Sequence, residues 1–145
     1  MSELLFRAKR KDTGEWVEGL PSYGSDGTIR EIEYMKETPG EEIPEVEYVE
    51  VDPETICQYT GVKDERGKKI WEEDFVRIDN KWNGRVIWWD DVTAFCVIPD
   101  NDMEQETYCV GQYKDENDIK VIGSRFDIQK LLDDVYNNKD KEKQE

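Results

Sequence analysis

Clustered acidic side chains are the groups of this sequence best suited to chemistry. Glu72, Glu73 and Asp74 follow one another directly, and paired carboxylates can carry out acid–base or glycosidase reactions. Successive residues of a strand point to opposite faces, so that only Glu72 and Asp74 could converge. A simpler role for Asp74 is that of a turn carboxylate, which accepts hydrogen bonds from backbone N–H groups. We therefore predict no catalytic residues and no enzymatic activity.

The sequence also lacks the residues that other kinds of catalytic and metal site require. The sequence contains no histidine, which excludes Ser-His-Asp and Cys-His catalysis and His-ligated metals. The segment 100–106 resembles the start of a calcium loop, but Gln105 and Gly111 stand where an EF-hand needs Gly and Glu. The cysteines form no CxxC pair, which predicts small buried hydrophobic residues rather than a zinc site or a disulfide framework. These cysteines are Cys57, Cys96 and Cys109. We expect no metal and no cofactor.

A basic and aromatic stretch in the middle of the chain is the candidate for nucleic-acid or partner contacts. An exposed tryptophan can stack on a base while lysines and arginines hold phosphate. The net charge of -16 opposes this binding, because a negative field repels phosphate. Solvated turns and core tryptophans are the interpretation we favour. The candidate contacts are Lys63, Arg66, Lys68, Lys69, Arg77, Lys81, Trp82 and Arg85.

The negative charge is concentrated in two segments, which we call the acidic flaps. Residues 37–54 carry eight acidic side chains and no basic one, and residues 100–118 carry seven acidic side chains and one lysine. Such segments keep a protein soluble and attract basic partners. Mimicry of DNA by rigidly held carboxylates is an alternative, but the prolines at 39 and 44 indicate a mobile loop.

The elements that position these residues are predicted to be short strands. The chain has 145 residues, 36% of them hydrophobic and 39% charged, which suits one domain with a lean core. Alternating segments between turn residues predict a mainly β fold, with a small barrel- or sandwich-like core of short antiparallel strands. We expect a single domain over 1–136, with an acidic loop at about 37–47 and a disordered tail over 137–145. The strands are predicted at 4–8, 15–20, 28–34, 46–51, 56–59, 74–78, 85–89, 94–98, 107–110 and 119–122.

A C-terminal helix completes the predicted elements. Apolar residues recur at helical spacing from Ile128 to Tyr136 and form one stripe. Ser124 and Asp127 resemble a capping box at its start. The stripe can pack on the protein's own core or on another copy of the chain.

The segment 58–76, with the sequence QYTGVKDERGKKIWEEDFV, resembles the long central motif of the YopX family of bacteriophage and prophage proteins. The segments 6–8 (FRA) and 121–126 (VIGSRF) resemble the opening and closing motifs of that family. The family has no assigned biochemical function, and the resemblance implies a largely β fold and a homo-oligomer. Glu73 departs from the motif, which has glycine there. The matching motif residues are Gln58, Tyr59, Thr60, Gly61, Asp64, Gly67, Ile70, Glu72 and Asp74.

These observations together predict a non-enzymatic phage or prophage accessory protein that forms homo-oligomers and binds a basic protein partner. The alternative is a nucleic-acid-binding module that uses the 63–89 stretch. No apolar run is long enough for a membrane span, and the N-terminus lacks the apolar region of a signal peptide. We therefore expect a location in the cytoplasm of the bacterial host.

Overall fold

The computed structural model describes residues 4–100, 108–111, 118–127 and 132. The chain divides into two compact units, Met1–Gly61 and Val62–Glu145. Each unit has its own cluster of buried hydrophobic side chains. The single-domain organisation over 1–136 stays a prediction.

The first unit is built around an antiparallel meander. Its strands are β1 (Phe6–Lys9), β2 (Trp16–Tyr23), β3 (Ile29–Lys36) and β4 (Glu45–Glu50), and β5 (Cys57–Lys63) pairs with β1 on the other side. The strand order within this unit is therefore β4-β3-β2-β1-β5. One face carries the core, which consists of Ala8, Val17, Ile32, Val49 and Val51.

Close backbone approach explains one glycine of this meander. A Cβ atom on Gly19 would overlap the carbonyl oxygen of Glu33 on β3. Only glycine lets β2 and β3 pack at this separation.

The second unit also contains an antiparallel sheet. After β6 (Lys69–Trp71) come β7 (Asp74–Ile78), β8 (Trp82–Trp89), β9 (Ala94–Pro99), β10 (Tyr108–Cys109) and β11 (Ile119–Ser124). The sheet has the order β10-β9-β8-β7-β11. Alternation along β7 and β8 places one set of side chains in the core and the other on the outer face. The core consists of Ile70, Val76, Ile78, Val86, Val97, Val110, Ile119 and Val121.

The predicted fold class is confirmed, because the described residues form two mainly antiparallel sheets with a short helical turn near the C-terminus. Residues 125–127 are helical, and the Ser124 hydroxyl accepts a hydrogen bond from the N–H of Phe126 at 3.3 Å. The rest of the helix predicted from Ile128 to Tyr136 lies outside the described residues, apart from position 132, as does the predicted tail. Within the described part of the chain, no helix has both the length and the apolar character that crossing a membrane requires.

Candidate interaction surfaces

The outer face of β2, β3 and β4 combines apolar side chains with carboxylates. Leu20, Glu33 and Tyr48 are cross-strand neighbours, and so are Met35 and Val46. Cross-strand neighbours share a face, and these residues alternate with the core positions Ile32 and Val49. We call this surface the acidic outer face; it consists of Leu20, Glu31, Glu33, Met35, Val46, Tyr48 and Glu50.

The apolar side chains of the acidic outer face are unusually accessible. Met35 is 61% exposed, Tyr48 59%, Val46 47% and Leu20 44%. Single exposed apolar residues are common, but a contiguous group rimmed by polar residues is typical of an interaction site. At the rim, the Nζ of Lys11 lies 3.1 Å from Glu50 Oε1. The face is therefore an apolar surface with an excess of negative charge.

The predicted acidic loop connects β3 to β4. Residues 37–44 form a shallow concave surface that includes the carboxylates of Glu37, Glu41 and Glu42. Three carboxylates could in principle bind a cation. Among the described residues, however, no three potential ligands are arranged to hold a metal ion. Of the second acidic flap, residues 101–107 and 112–117 lie outside the described residues.

The structure brings together only part of the predicted basic and aromatic stretch. Arg77 and Arg85 lie on the outer face of β7 and β8, and Lys120 of β11 is the cross-strand neighbour of Arg77. We call this surface the basic outer face; it consists of Phe75, Arg77, Arg85, Ile98, Lys120 and Ile122. Ile98 and Ile122 are 37% and 53% exposed. This surface is therefore also partly apolar, and its charge is positive.

The cations of the basic outer face are held by neighbouring polar groups. Arg77 donates hydrogen bonds to Asn83 Oδ1 at 3.0 Å and to the carbonyl oxygen of Asn80 at 2.8 Å. The Nζ of Lys120 donates to Asn80 Oδ1 at 3.0 Å and lies 3.4 Å from Glu65 Oε1. These contacts fix the positions of the charges while leaving the surface accessible.

The remaining candidate contacts are placed elsewhere. Trp82 packs against the hydrophobic core and does not project as a stacking platform. The side chain of Arg66 donates a hydrogen bond to the carbonyl oxygen of Val121 at 2.7 Å. Lys63, Lys68 and Lys81 are exposed, and Lys69 is half-buried.

Asp64, a residue of the central motif, holds a turn against β11. Its Oδ1 accepts hydrogen bonds from the N–H groups of Arg66 and Lys68, both at 2.9 Å, and its Oδ2 accepts one from the N–H of Val121 at 3.0 Å. Burial by itself would raise the pKa of Asp64, but these backbone hydrogen bonds and the Arg66 guanidinium together lower it below 3.8. Gly67 has a φ of 81°, as predicted for this turn.

The carboxylate cluster 72–74 also has a structural arrangement. Asp74 is buried, and its Oδ2 accepts a hydrogen bond from the N–H of Trp71 at 2.9 Å. Glu73 adopts a left-handed conformation with a φ of 69°, which explains why glycine suits this position. The Oε2 of Glu73 lies 3.6 Å from Arg85 and 3.4 Å from Arg125. The hydrogen bond that Asp74 accepts from the N–H of Trp71 matches the turn role predicted for Asp74.

Sequence reasoning missed most members of both outer faces. Lys120 lies far along the chain from Arg77, and only the strand register makes them neighbours. The signal for the acidic outer face was present in β4, where Val46 and Tyr48 alternate with the core residue Val49. When a strand carries apolar residues on both faces, either other elements cover both faces or one apolar face stays exposed to solvent.

Comparison with known protein families gives a match. The family model described as YopX protein matches residues 5–133, which is most of the chain. No curated protein matches the sequence.

Proposed function

The chain belongs to the YopX family, and on this premise we propose that it is a non-enzymatic protein-interaction module that assembles with copies of itself. The observation that carries this proposal is the pair of partly apolar outer faces with opposite charge. The acidic outer face of one copy binds the basic outer face of another.

Complementary charge favours this pairing over self-association of either face. Glu31, Glu33 and Glu50 would oppose one another if two acidic outer faces met, and like charges across an interface are destabilising. The exposed apolar residues supply the favourable burial, and the charges select the partner face. A contact between two different faces is heterologous, so that repeated contacts close into a ring when the geometry allows.

Light scattering coupled to size-exclusion chromatography tests the assembly. The purified chain, of 17.1 kDa, should elute as an oligomer whose mass falls as salt is raised, because salt screens the exposed charges. Met35→Lys should yield monomers, since it places a positive charge beside the exposed side chain of Val46 on the acidic outer face. The matched control is Ile43→Lys, which changes an 80% exposed residue of the 37–44 connection and should leave the oligomer intact.

Charge reversal tests the pairing of the two faces. Glu33→Lys alone and Lys120→Glu alone should each weaken assembly, and the double variant should recover part of it. A monomeric wild-type chain would contradict the proposal, as would oligomers that neither single reversal affects.

The assembled protein serves as a phage or prophage accessory factor in the bacterial cytoplasm, and it presents its remaining carboxylates to a basic protein. The connection 37–44 supports this part of the proposal, because its carboxylates lie outside the acidic outer face. Neutralising Glu37, Glu41 and Glu42 to glutamine should abolish capture of a basic protein partner without changing the oligomer. Unchanged capture would refute this role.

The basic outer face supports one alternative function, nucleic-acid binding. Arg77, Arg85 and Lys120 share this face and could contact phosphates. A filter-binding titration with single-stranded DNA at about 50 mM salt separates the two functions, because electrostatic binding is strongest at low salt. Retention that Lys120→Glu abolishes would favour this alternative, and no retention would exclude it.

A further inference from the structure

Cys96 and Cys109 face each other across strands β9 and β10. They are direct cross-strand partners, and their Sγ atoms are 3.7 Å apart. Both are free thiols, as is Cys57. Cys96 is buried, whereas Cys109 is partly accessible to solvent.

The backbone around the two cysteines has the spacing that a disulfide needs. The N–H of Val110 donates to the carbonyl oxygen of Phe95 at 2.9 Å, which makes residues 95 and 110 a hydrogen-bonded pair. Opposed pairs alternate along an antiparallel ladder, so Cys96 and Cys109 form the adjacent non-hydrogen-bonded pair. The Cα atoms of such pairs are about 4.5 Å apart. Disulfides require roughly 4.4–6.8 Å.

We propose that Cys96 and Cys109 are a reversible disulfide site, oxidised by exchange with a low-molecular-weight disulfide such as oxidised glutathione. The thiolate of Cys109 attacks one sulfur of the glutathione disulfide and releases the first glutathione as a thiolate. Cys96 then loses its proton and attacks the Cys109 sulfur of the mixed disulfide, which releases the second glutathione. Two protein thiols are oxidised and one glutathione disulfide is reduced to two thiols.

Accessibility determines the order of these two steps. Cys109 is the partly exposed thiol and meets the oxidant first. Burial and the neighbouring Cys109 raise the pKa of Cys96 to about 11, so that Cys96 is the poorer first nucleophile. It lies beside the mixed disulfide once this has formed, which makes the second step intramolecular.

The third cysteine provides an internal control. Cys57 is 0% exposed, and its thiol donates a hydrogen bond to the carbonyl oxygen of Thr55 at 3.3 Å. It belongs to the first unit, whereas the pair belongs to the second. It should remain a thiol under conditions that oxidise the pair.

The consequence of oxidation is a covalent link at the edge of the second sheet. Strand β10 comprises only Tyr108 and Cys109, and it lies at one end of the strand order. The disulfide would fix this short edge strand to β9. Reduction would leave it held by few backbone hydrogen bonds.

The test is to equilibrate the folded chain with mixtures of oxidised and reduced glutathione, to unfold it in denaturant that contains excess iodoacetamide, so that buried free thiols are blocked as well, and to digest with trypsin. No lysine or arginine lies between Arg85 and Lys114, so both cysteines occur in the peptide 86–114. We expect this peptide to lose two hydrogen atoms and to carry no iodoacetamide label, while Cys57 is fully labelled. Cleavage at Glu104 or Glu106 should give two peptides joined by the disulfide.

The contrary results are equally specific. A stable glutathione adduct on Cys109 with a labelled Cys96 would overturn the proposal, as would a dimer cross-linked through Cys109 or a pair that stays reduced in every mixture. Cys57→Ser should oxidise like the wild type, and Cys109→Ser should leave Cys96 labelled.

The glutathione mixtures also give the effective concentration of one thiol of the pair relative to the other. This value should be at least about tenfold higher in the folded chain than in the chain unfolded in urea, because the sheet holds the two thiols together. Equal values would show that sequence proximity alone closes the bond.

Discussion

Replacing Asp64 with alanine should destabilise the second unit strongly, because one carboxylate satisfies three backbone N–H groups. Its side chain is 0% exposed and links the 64–68 turn to β11. The N–H of Val121 is buried, and a lost hydrogen bond from such a group to a charged partner costs about 1.5–3 kcal/mol. Arg66 and Lys68 lie in an exposed turn where water can replace the carboxylate, so that each of these bonds adds only about 0.5–1 kcal/mol. The free energy of unfolding should therefore fall by about 2.5–5 kcal/mol.

Asparagine at position 64 should give an intermediate loss of about 2 kcal/mol, because its single oxygen can serve the turn or Val121 but not both. The matched control is Asp26→Ala. Asp26 also accepts a hydrogen bond from the backbone N–H two residues later, that of Thr28 at 3.1 Å, but its side chain is half exposed. This control should cost less than about 1 kcal/mol.

The effect of Asp64 should also depend on pH. The pKa of Asp64 is lower in the folded protein than its ordinary value, so the unfolded chain binds the proton more tightly. The stabilisation is complete above about pH 4 and is lost as the pH falls through the folded-state pKa. Urea unfolding followed by tryptophan fluorescence measures both effects. A D64A chain within about 1 kcal/mol of wild type, or a difference that does not narrow in acid, would refute the reasoning.

Three further predictions concern substitutions of single residues. Glu73→Gly should be more stable than Glu73→Ala by about 1 kcal/mol in urea unfolding, because glycine adopts the φ of 69° without strain; equal stabilities would contradict this. Gly19→Ala should lower the free energy of unfolding by about 1–3 kcal/mol, since the new methyl group overlaps the carbonyl oxygen of Glu33, and a neutral effect would show that β2 and β3 can separate. Tyr34→Phe should raise the pKa of Glu47, because it removes the hydrogen bond of 2.8 Å that lowers this pKa; NMR titration of the carboxyl group measures the change, and an unshifted pKa would contradict the assignment.

Local patterns predicted the strands well and their assembly poorly. Period-two alternation indicated β7 from Asp74 to Ile78, where the structure has it. It gave no signal for β6, because the three residues Lys69–Trp71 are too few to show a period. The motif resemblance identified Asp64 and Gly67 without giving the hydrogen bond from Val121 to Asp64, which depends on β11 more than fifty residues away.

The two outer faces could not be predicted either, because they too depend on contacts between residues that are distant in sequence. Which residues share a face across strands depends on register, and a slip of one residue would turn every side chain to the opposite side. Trp82 illustrates the difficulty: its neighbours in sequence are polar, yet register and burial place it against the core. The basic stretch of the sequence is consequently a set of residues with several different environments.

Strand β4 ends the first sheet on one side, and its composition limits how two chains can join. A strand at the end of a sheet has unpaired backbone groups that another strand can extend, which is the first step of edge-to-edge aggregation. Three of the six residues of β4 are glutamates, Glu45, Glu47 and Glu50. A second β4 added alongside would align carboxylates at strand spacing, and their repulsion blocks a continuous intermolecular sheet at neutral pH. The composition of this edge strand therefore directs association between chains to the faces of the sheet and away from its open edge.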